Sequence, residues 1–206
     1  MLETFREFLY QLAISFDLPV LDWIQANLGS PLLDKVMPII TMFGDAGLFW
    51  IAWSLLLMCF RKTRKTGLGM GFALIMGLLI CNVTLKPLIG RIRPYDLQID
   101  QLGRTWEDLL FAGKLLVETP HDFSFPSGHT IASFEAATVL LINSKLMGIP
   151  AMILAILIAF SRMYLYVHYP SDVIFSVFAG ILFALIGNAL ARKIKFSPLK
   201  KGKYEK

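Results

Sequence analysis

Long apolar blocks separated by short polar clusters run along this chain, and the blocks alone predict most of its architecture. From about Gly44 to Phe60 nearly every position is apolar, and the run stops at Arg61-Lys62-Thr63-Arg64-Lys65. Further blocks run from about Gly67 to Leu85, Ser127 to Ser144, Ala151 to Val167 and Asp172 to Ala191. A helix that crosses a bilayer needs roughly 20 apolar residues, so the pattern predicts five spans. Gly67, Gly69, Gly71 and Gly77 give the second span small surfaces for close helix packing.

The first 43 residues read differently. Phe5, Phe8, Leu9, Leu12 and Phe16 recur at helical spacing, with Arg6, Glu7 and Gln11 between them. That stripe predicts an amphipathic helix lying at the membrane interface. Ser30-Pro31 marks the start of a second short helix, over 31–42. The expected fold is therefore all-α: a polytopic bundle of five spans, or six if the N-terminal segment also crosses. Its divisions are an interfacial segment 1–43, a transmembrane domain 44–191 and a basic tail 192–206.

Composition agrees. Apolar residues make up 56% of the chain and charged ones 17%, where a soluble domain carries about 25% charged residues. Cys59 and Cys81 both sit inside apolar blocks and read as buried thiols without a disulfide framework. Two scattered cysteines are also too few for a thiolate metal site.

The net charge of +5 is concentrated in 61–65 and in the tail. Such runs flank membrane spans on the cytoplasmic side, and no aromatic-interleaved basic surface supports binding to nucleic acid. With 61–65 inside, 86–128 falls outside, Lys145 inside, His168 outside and the tail inside. Three polar clusters then share the outer face, although they lie far apart in sequence.

The first cluster holds Lys86, Arg91 and Arg93, followed by Pro94. Arg93 is a forked donor suited to phosphate and Lys86 a point charge; Arg91 is assigned only to anchoring a helix end by snorkelling. The second is Pro126-Ser127-Gly128-His129, where Ser127 is a natural N-cap and Gly128 lets a ligand approach the backbone. The free N–H groups of that helix start form an anion site. The third comprises Ser161, Arg162, His168 and Asp172. Arg162, inside a span, needs an anionic partner. Pro170 rules out one continuous helix from His168 to Asp172, so a turn must bring the carboxylate back to the imidazole. The remaining histidine, His121, reads as loop surface. The cations around the site favour an anionic ligand over a metal.

At these residues the chain resembles the type 2 phosphatidic acid phosphatase (PAP2) superfamily of membrane lipid phosphatases. The family pattern is Lys, six residues, Arg-Pro; then Pro-Ser-Gly-His; then Ser-Arg, five residues, His, three residues, Asp. Every position is matched, by Lys86, Arg93 and Pro94, by 126–129, and by Ser161, Arg162, His168 and Asp172. The resemblance implies metal-independent hydrolysis with no cofactor. His168 would be the nucleophile that forms a phosphohistidine, Asp172 its orienting group and His129 the general acid and base. Lys86, Arg93, Ser127, Gly128 and Arg162 would hold the phosphate.

The implied substrate is a lipid phosphate or diphosphate entering from the membrane, with undecaprenyl diphosphate preferred over phosphatidylglycerol phosphate or phosphatidate. The implied setting is a bacterial inner membrane, with the site on the outer face and the C-terminus in the cytoplasm. Residues 95–125, with Trp106 and Phe111, are either a lid over lipid entry or a loop that buries only its own apolar side chains. Other readings of the same site are a phosphotransferase with a different acceptor, and a protein that binds or transports lipid phosphate without hydrolysis. The oligomeric state is not specified by the sequence.

Overall fold

The structure is a computed structural model that describes residues 1–100, 102, 103, 105 and 116–196; the Trp106 and Phe111 part of the suggested lid lies outside the described residues. Every regular element among the described residues is helical. In chain order they are α1 (Leu2–Leu12), α2 (Leu18–Leu28), α3 (Pro31–Met42), α4 (Leu48–Cys59), α5 (Arg64–Met76), α6 (Lys86–Ile89), α7 (Pro94–Asp100), α8 (Gly128–Asn143), α9 (Lys145–Tyr164) and α10 (Pro170–Lys193). π-helical turns at Ala13–Asp17 and Gly77–Leu85 join α1 to α2 and α5 to α6.

Among the described residues, four helical stretches are long and apolar enough to cross a membrane: Pro31–Cys59, Arg64–Asp100, Lys145–Tyr164 and Pro170–Lys193. The chain is an integral membrane protein. The first stretch starts well before the predicted Gly44. It bends where Ala46 and Gly47 adopt positive φ, at 48° and 66°, a conformation that Gly takes without steric cost.

The predicted third span appears as α8, only 16 residues long. From Thr130 to Leu140 all but Ala132 are buried, and α8 packs against α5, α9 and α10. It is thus the inner helix of the bundle, with almost no face left for lipid. Trp50 of α4 reaches it and donates from Nε1 to Ser133 Oγ at 3.0 Å. Close approach elsewhere depends on glycine: a Cβ on Gly187 of α10 would lie 2.6 Å from the Gly69 carbonyl oxygen of α5. Cys81 is buried, whereas Cys59 is exposed at the end of α4, so the expectation of two buried thiols holds for one. Apolar surface at a membrane helix end can face lipid, and nothing in the sequence pattern separates that from burial in protein.

The N-terminal helices embrace the segment between α9 and α10. Leu18, Leu21 and Ala13 form an apolar cluster with Tyr166 and Tyr169. Two tyrosines there are tied to N-terminal acids: Tyr164 Oη donates to Asp34 Oδ1 at 2.6 Å, and Tyr166 Oη to Asp22 Oδ1 at 2.9 Å. Along α1, Phe5 and Phe8 are exposed while Leu9 is buried, and Arg6 donates to the carbonyls of Leu88 and Ile89, each at 2.9 Å.

Candidate active site

Five separate elements deliver the predicted residues. Lys86 begins α6, where the π-helical turn ends. Arg93 directly precedes α7, Gly128 and His129 open α8, Arg162 lies in the last turn of α9, and His168 sits in the short connection to α10. These six side chains or backbone positions line one cavity of about 970 Å³. Away from them its walls are mostly apolar, including Ile51, Leu55, Leu68, Phe72, Ile75 and Leu78 from α4, α5 and the turn after α5, with Ser54, Asn82 and Glu135 as polar exceptions. A cationic end and a hydrocarbon-like wall therefore share one space.

Ser127 and Asp172 stand behind the cavity wall. Ser127 occupies the N-cap position of α8 but makes no side-chain cap. Its hydroxyl pairs with Thr130 Oγ1 at 3.0 Å, and its N–H donates to Ser176 Oγ at 2.9 Å. Thr130 competes for the hydroxyl that the sequence pattern gives to the backbone. Asp172 is the third residue of α10 and closes a capping box by accepting from the Tyr169 N–H at 3.1 Å. The same carboxylate accepts from Ser124 Oγ. Its Oδ2 lies 3.6 Å from His168 Nδ1, so the turn at Pro170 does return it to the imidazole.

His168 is 1% exposed, and its two nitrogens face opposite charges. Nδ1 looks toward Asp172, and Nε2 lies 3.4 Å from Arg93 Nη1. A donor at Nε2 and a carboxylate facing Nδ1 favour the neutral tautomer with the proton on Nδ1 and the lone pair on Nε2, although Nδ1 makes no hydrogen bond among the described residues. Burial, and then the cations Arg93, Arg162 and Lys86 with His129, hold the imidazole well below its usual 6.5. At neutral pH it is an uncharged base.

The cations are fixed by protein oxygens. Arg93 donates to the Asp122 carbonyl at 2.8 Å and the Val167 carbonyl at 2.5 Å, and it pairs with the Asp122 carboxylate. Lys86 Nζ lies 2.6 Å from the other Asp122 oxygen. Burial pushes that carboxyl up, but Lys86 and Arg93 outweigh it and hold it at about 2. Arg162 donates to Thr41 Oγ1 at 2.6 Å, while its buried Nε has no partner among the described residues. His129 Nε2 lies 2.7 Å from Asp45 Oδ1. Gly44 makes room for that ring, since a Cβ there would come within 2.6 Å of it.

Arg91 is a correction to the sequence reading. It is no interfacial anchor: it is 7% exposed and pairs with Asp172 and with Asp17, the latter at 2.8 Å. Two buried acids hold it below the surface where snorkelling would otherwise carry it. Thr41, Asp45, Asp122 and Asp17 complete the polar shell and were not singled out from sequence. Asp45 and Asp17 were legible only as acids inside apolar stretches, a weak sign of a buried partner. His121 is exposed, as read.

The chain is similar to several known proteins. An undecaprenyl-diphosphatase from Sulfolobus acidocaldarius is 35% identical over 126 residues, covering 61% of this chain and 55% of the relative's length. Undecaprenyl-diphosphatase BcrC of Bacillus subtilis is 28% identical, over 75% of this chain and 72% of its own. A crystal structure of a PAP2 type phosphatidylglycerolphosphate phosphatase from Bacillus subtilis is similar with a TM-score of 0.68 at 26% identity, over 94% of this chain and 96% of that one. The family model described as PAP2 superfamily matches residues 66–195, which contain all three polar clusters, and the chain belongs to that superfamily.

Proposed function

We propose that the protein is a metal-independent membrane lipid phosphatase that works through a phosphohistidine on His168. The observation that carries this reading is a buried imidazole, with Nε2 3.4 Å from Arg93, that lines one cavity with Lys86, Arg93 and Arg162 and with largely apolar walls beyond. That arrangement fits a phosphate head with a hydrocarbon tail.

The Nε2 lone pair attacks phosphorus while the bond to the leaving oxygen breaks. His129, held at Nε2 by Asp45, gives its proton to that oxygen. The phosphoimidazole keeps its Nδ1 proton and is cationic, and the Asp172 carboxylate stabilises it. His129 then takes a proton from water, the resulting oxygen attacks phosphorus, and the P–N bond breaks to release phosphate and neutral His168. Lys86, Arg93, Arg162 and the Gly128 N–H hold the equatorial oxygens, where charge grows in the transition state. Ser127 contributes by fixing the start of α8.

Undecaprenyl diphosphate is the first substrate to test, because two relatives are named for it. Phosphatidylglycerol phosphate is the second, on the near full-length likeness to a structure named for that activity. The topology that fits is a bacterial inner-membrane bundle with five or six crossings, α8 among them. In it the site faces outward and the tail lies in the cytoplasm, with 1–43 a supporting segment and 44–191 the catalytic domain.

The test is phosphate release in detergent with EDTA from undecaprenyl diphosphate, phosphatidylglycerol phosphate and phosphatidate, with His168→Ala as control. Release that survives EDTA and is lost in the variant supports the proposal. If the folded wild type releases phosphate from none of the three, the protein is a phosphotransferase or a lipid-phosphate binding protein.

A further inference from the structure

The N-terminal third carries no family motif, and the superfamily match begins only at residue 66. Yet one of its acids reaches the reaction centre through two side chains. Asp17 lies in the π-helical turn between α1 and α2 and is 0% exposed. A carboxylate with no water around it needs cations or donors to stay charged, and this one has three contacts. Its Oδ1 accepts from the Ser171 N–H at 2.9 Å, and its Oδ2 accepts from Ser171 Oγ at 2.6 Å and Arg91 Nη2 at 2.8 Å. Arg91 Nη1 bonds the Asp172 carboxylate and donates to Ser171 Oγ at 2.8 Å. Its guanidinium carbon lies 3.9 Å from the centre of the Tyr169 ring.

We infer that Asp17 is a positioning residue for the reaction, acting through Arg91 on Asp172 and so on the tautomer of His168. A guanidinium shared by two carboxylates is pulled from both sides and cannot swing toward either. Asp172 is left with one oxygen committed to Arg91 and the other turned to Ser124, the Tyr169 N–H and His168. With Asp17 neutral, Arg91 would be free to close on Asp172 alone, drawing the carboxylate from the imidazole and competing for its charge. Nδ1 would then lose the carboxylate that faces it at 3.6 Å, and the other tautomer would put the proton on the nitrogen that attacks. Displacement of a reacting group by about 1 Å can cost on the order of 10² in rate.

This inference rests on the proposed role of His168, so its test has one arm independent of turnover. Asp17→Asn keeps the shape and removes the charge. In the full-length protein its kcat should fall by roughly 10- to 100-fold with KM little changed. Arg91→Gln should cost at least as much, and the double variant should be no slower than Arg91→Gln, because both act along one path. ¹⁵N spectra of histidine-labelled protein read the tautomer directly: His168 protonated at Nδ1 in the wild type, and mixed in Asp17→Asn. If Asp17→Asn does not fold, Arg91→Lys retains a charge that cannot fork to two carboxylates and should show the same kcat loss and mixed tautomer. A wild-type kcat and tautomer in the folded variant, or effects that multiply in the double variant, would overturn the inference. If the wild type hydrolyses none of the lipids, the spectra still decide the positioning role while the phosphatase proposal fails on its own.

Discussion

The Asp122 carboxylate bridges Lys86 and Arg93, with Lys86 Nζ 2.6 Å from one oxygen and Arg93 on the other. An acid thus occupies the two cations best placed for a phosphate. Phosphate must compete with it or share them. Asp122→Asn retains the backbone carbonyl that accepts from Arg93, so the guanidinium stays in place while the competing charge is gone. The expected result is a fall of a few fold in KM and in the inhibition constant of inorganic phosphate. The effect is small because ion pairs open to solvent are worth about 0–1 kcal/mol. Steady-state kinetics with phosphate as product inhibitor check it; an unchanged inhibition constant would mean that Asp122 does not compete.

The Asp45–His129 contact at 2.7 Å predicts a second kinetic effect. Asp45→Asn keeps a hydrogen-bonding group but no longer stabilises the imidazolium that forms when water is deprotonated. General acid–base catalysis contributes typically 10²–10⁴-fold, and part of it should go. We expect kcat to fall by about tenfold or more, with dephosphorylation of the enzyme slowed, so that phosphoenzyme accumulates in rapid-quench measurements. Loss of activity without accumulation would assign Asp45 to the first step instead.

His168 gives a pH dependence of stability. Its folded-state pKa lies well below the unfolded value of 6.5, so the unfolded chain binds more protons between the two. Stability is then fully present above pH 6.5 and is lost progressively as pH falls from there toward the folded pKa. Melting temperature in detergent should decline as pH drops below 6.5, and more shallowly in His168→Asn. Equal slopes in the two proteins would show that His168 is not the group responsible. Asp122 adds a separate loss only at lower pH, from 3.8 down to its folded value of about 2.

Gly77 and Glu135 make a packing prediction. Glu135 of α8 is 1% exposed, and a Cβ on Gly77 would stand 2.3 Å from its Oε1. Gly77→Ala should therefore destabilise the protein by about 1–3 kcal/mol, the usual cost of overpacking. Adding Glu135→Ala should recover part of that loss, since it removes the carboxyl that clashes. Thermal melts of the two single variants and the double check this.

The parts of this site that were legible in sequence are those with a spacing rule or a large transfer cost. Lys86, Arg93, His129, Arg162 and His168 stand at the ends of apolar blocks, where charge needs a reason, and their fixed intervals match one family. The all-helical fold follows from the same blocks. Asp17, Asp45, Thr41 and Asp122 pair with residues 29 to 154 positions away, and a one-dimensional pattern carries no sign of such partners. Arg91 shows the limit well. By position it is one more cation at a helix end, and only the fold reveals the two acids around it. Burial of α8 is of the same kind, because apolar residues facing lipid and apolar residues facing protein look alike in a membrane chain.

The central claim is a covalent phosphohistidine at His168. It is tested most directly by mixing the protein with its lipid substrate, quenching in alkali within the first turnover and locating the phosphoryl group by peptide mass spectrometry. The account predicts an alkali-stable, acid-labile phosphoryl group on His168, absent in His168→Ala. A phosphoryl group on His129 instead, or turnover with no phosphoenzyme at any quench time, would contradict it.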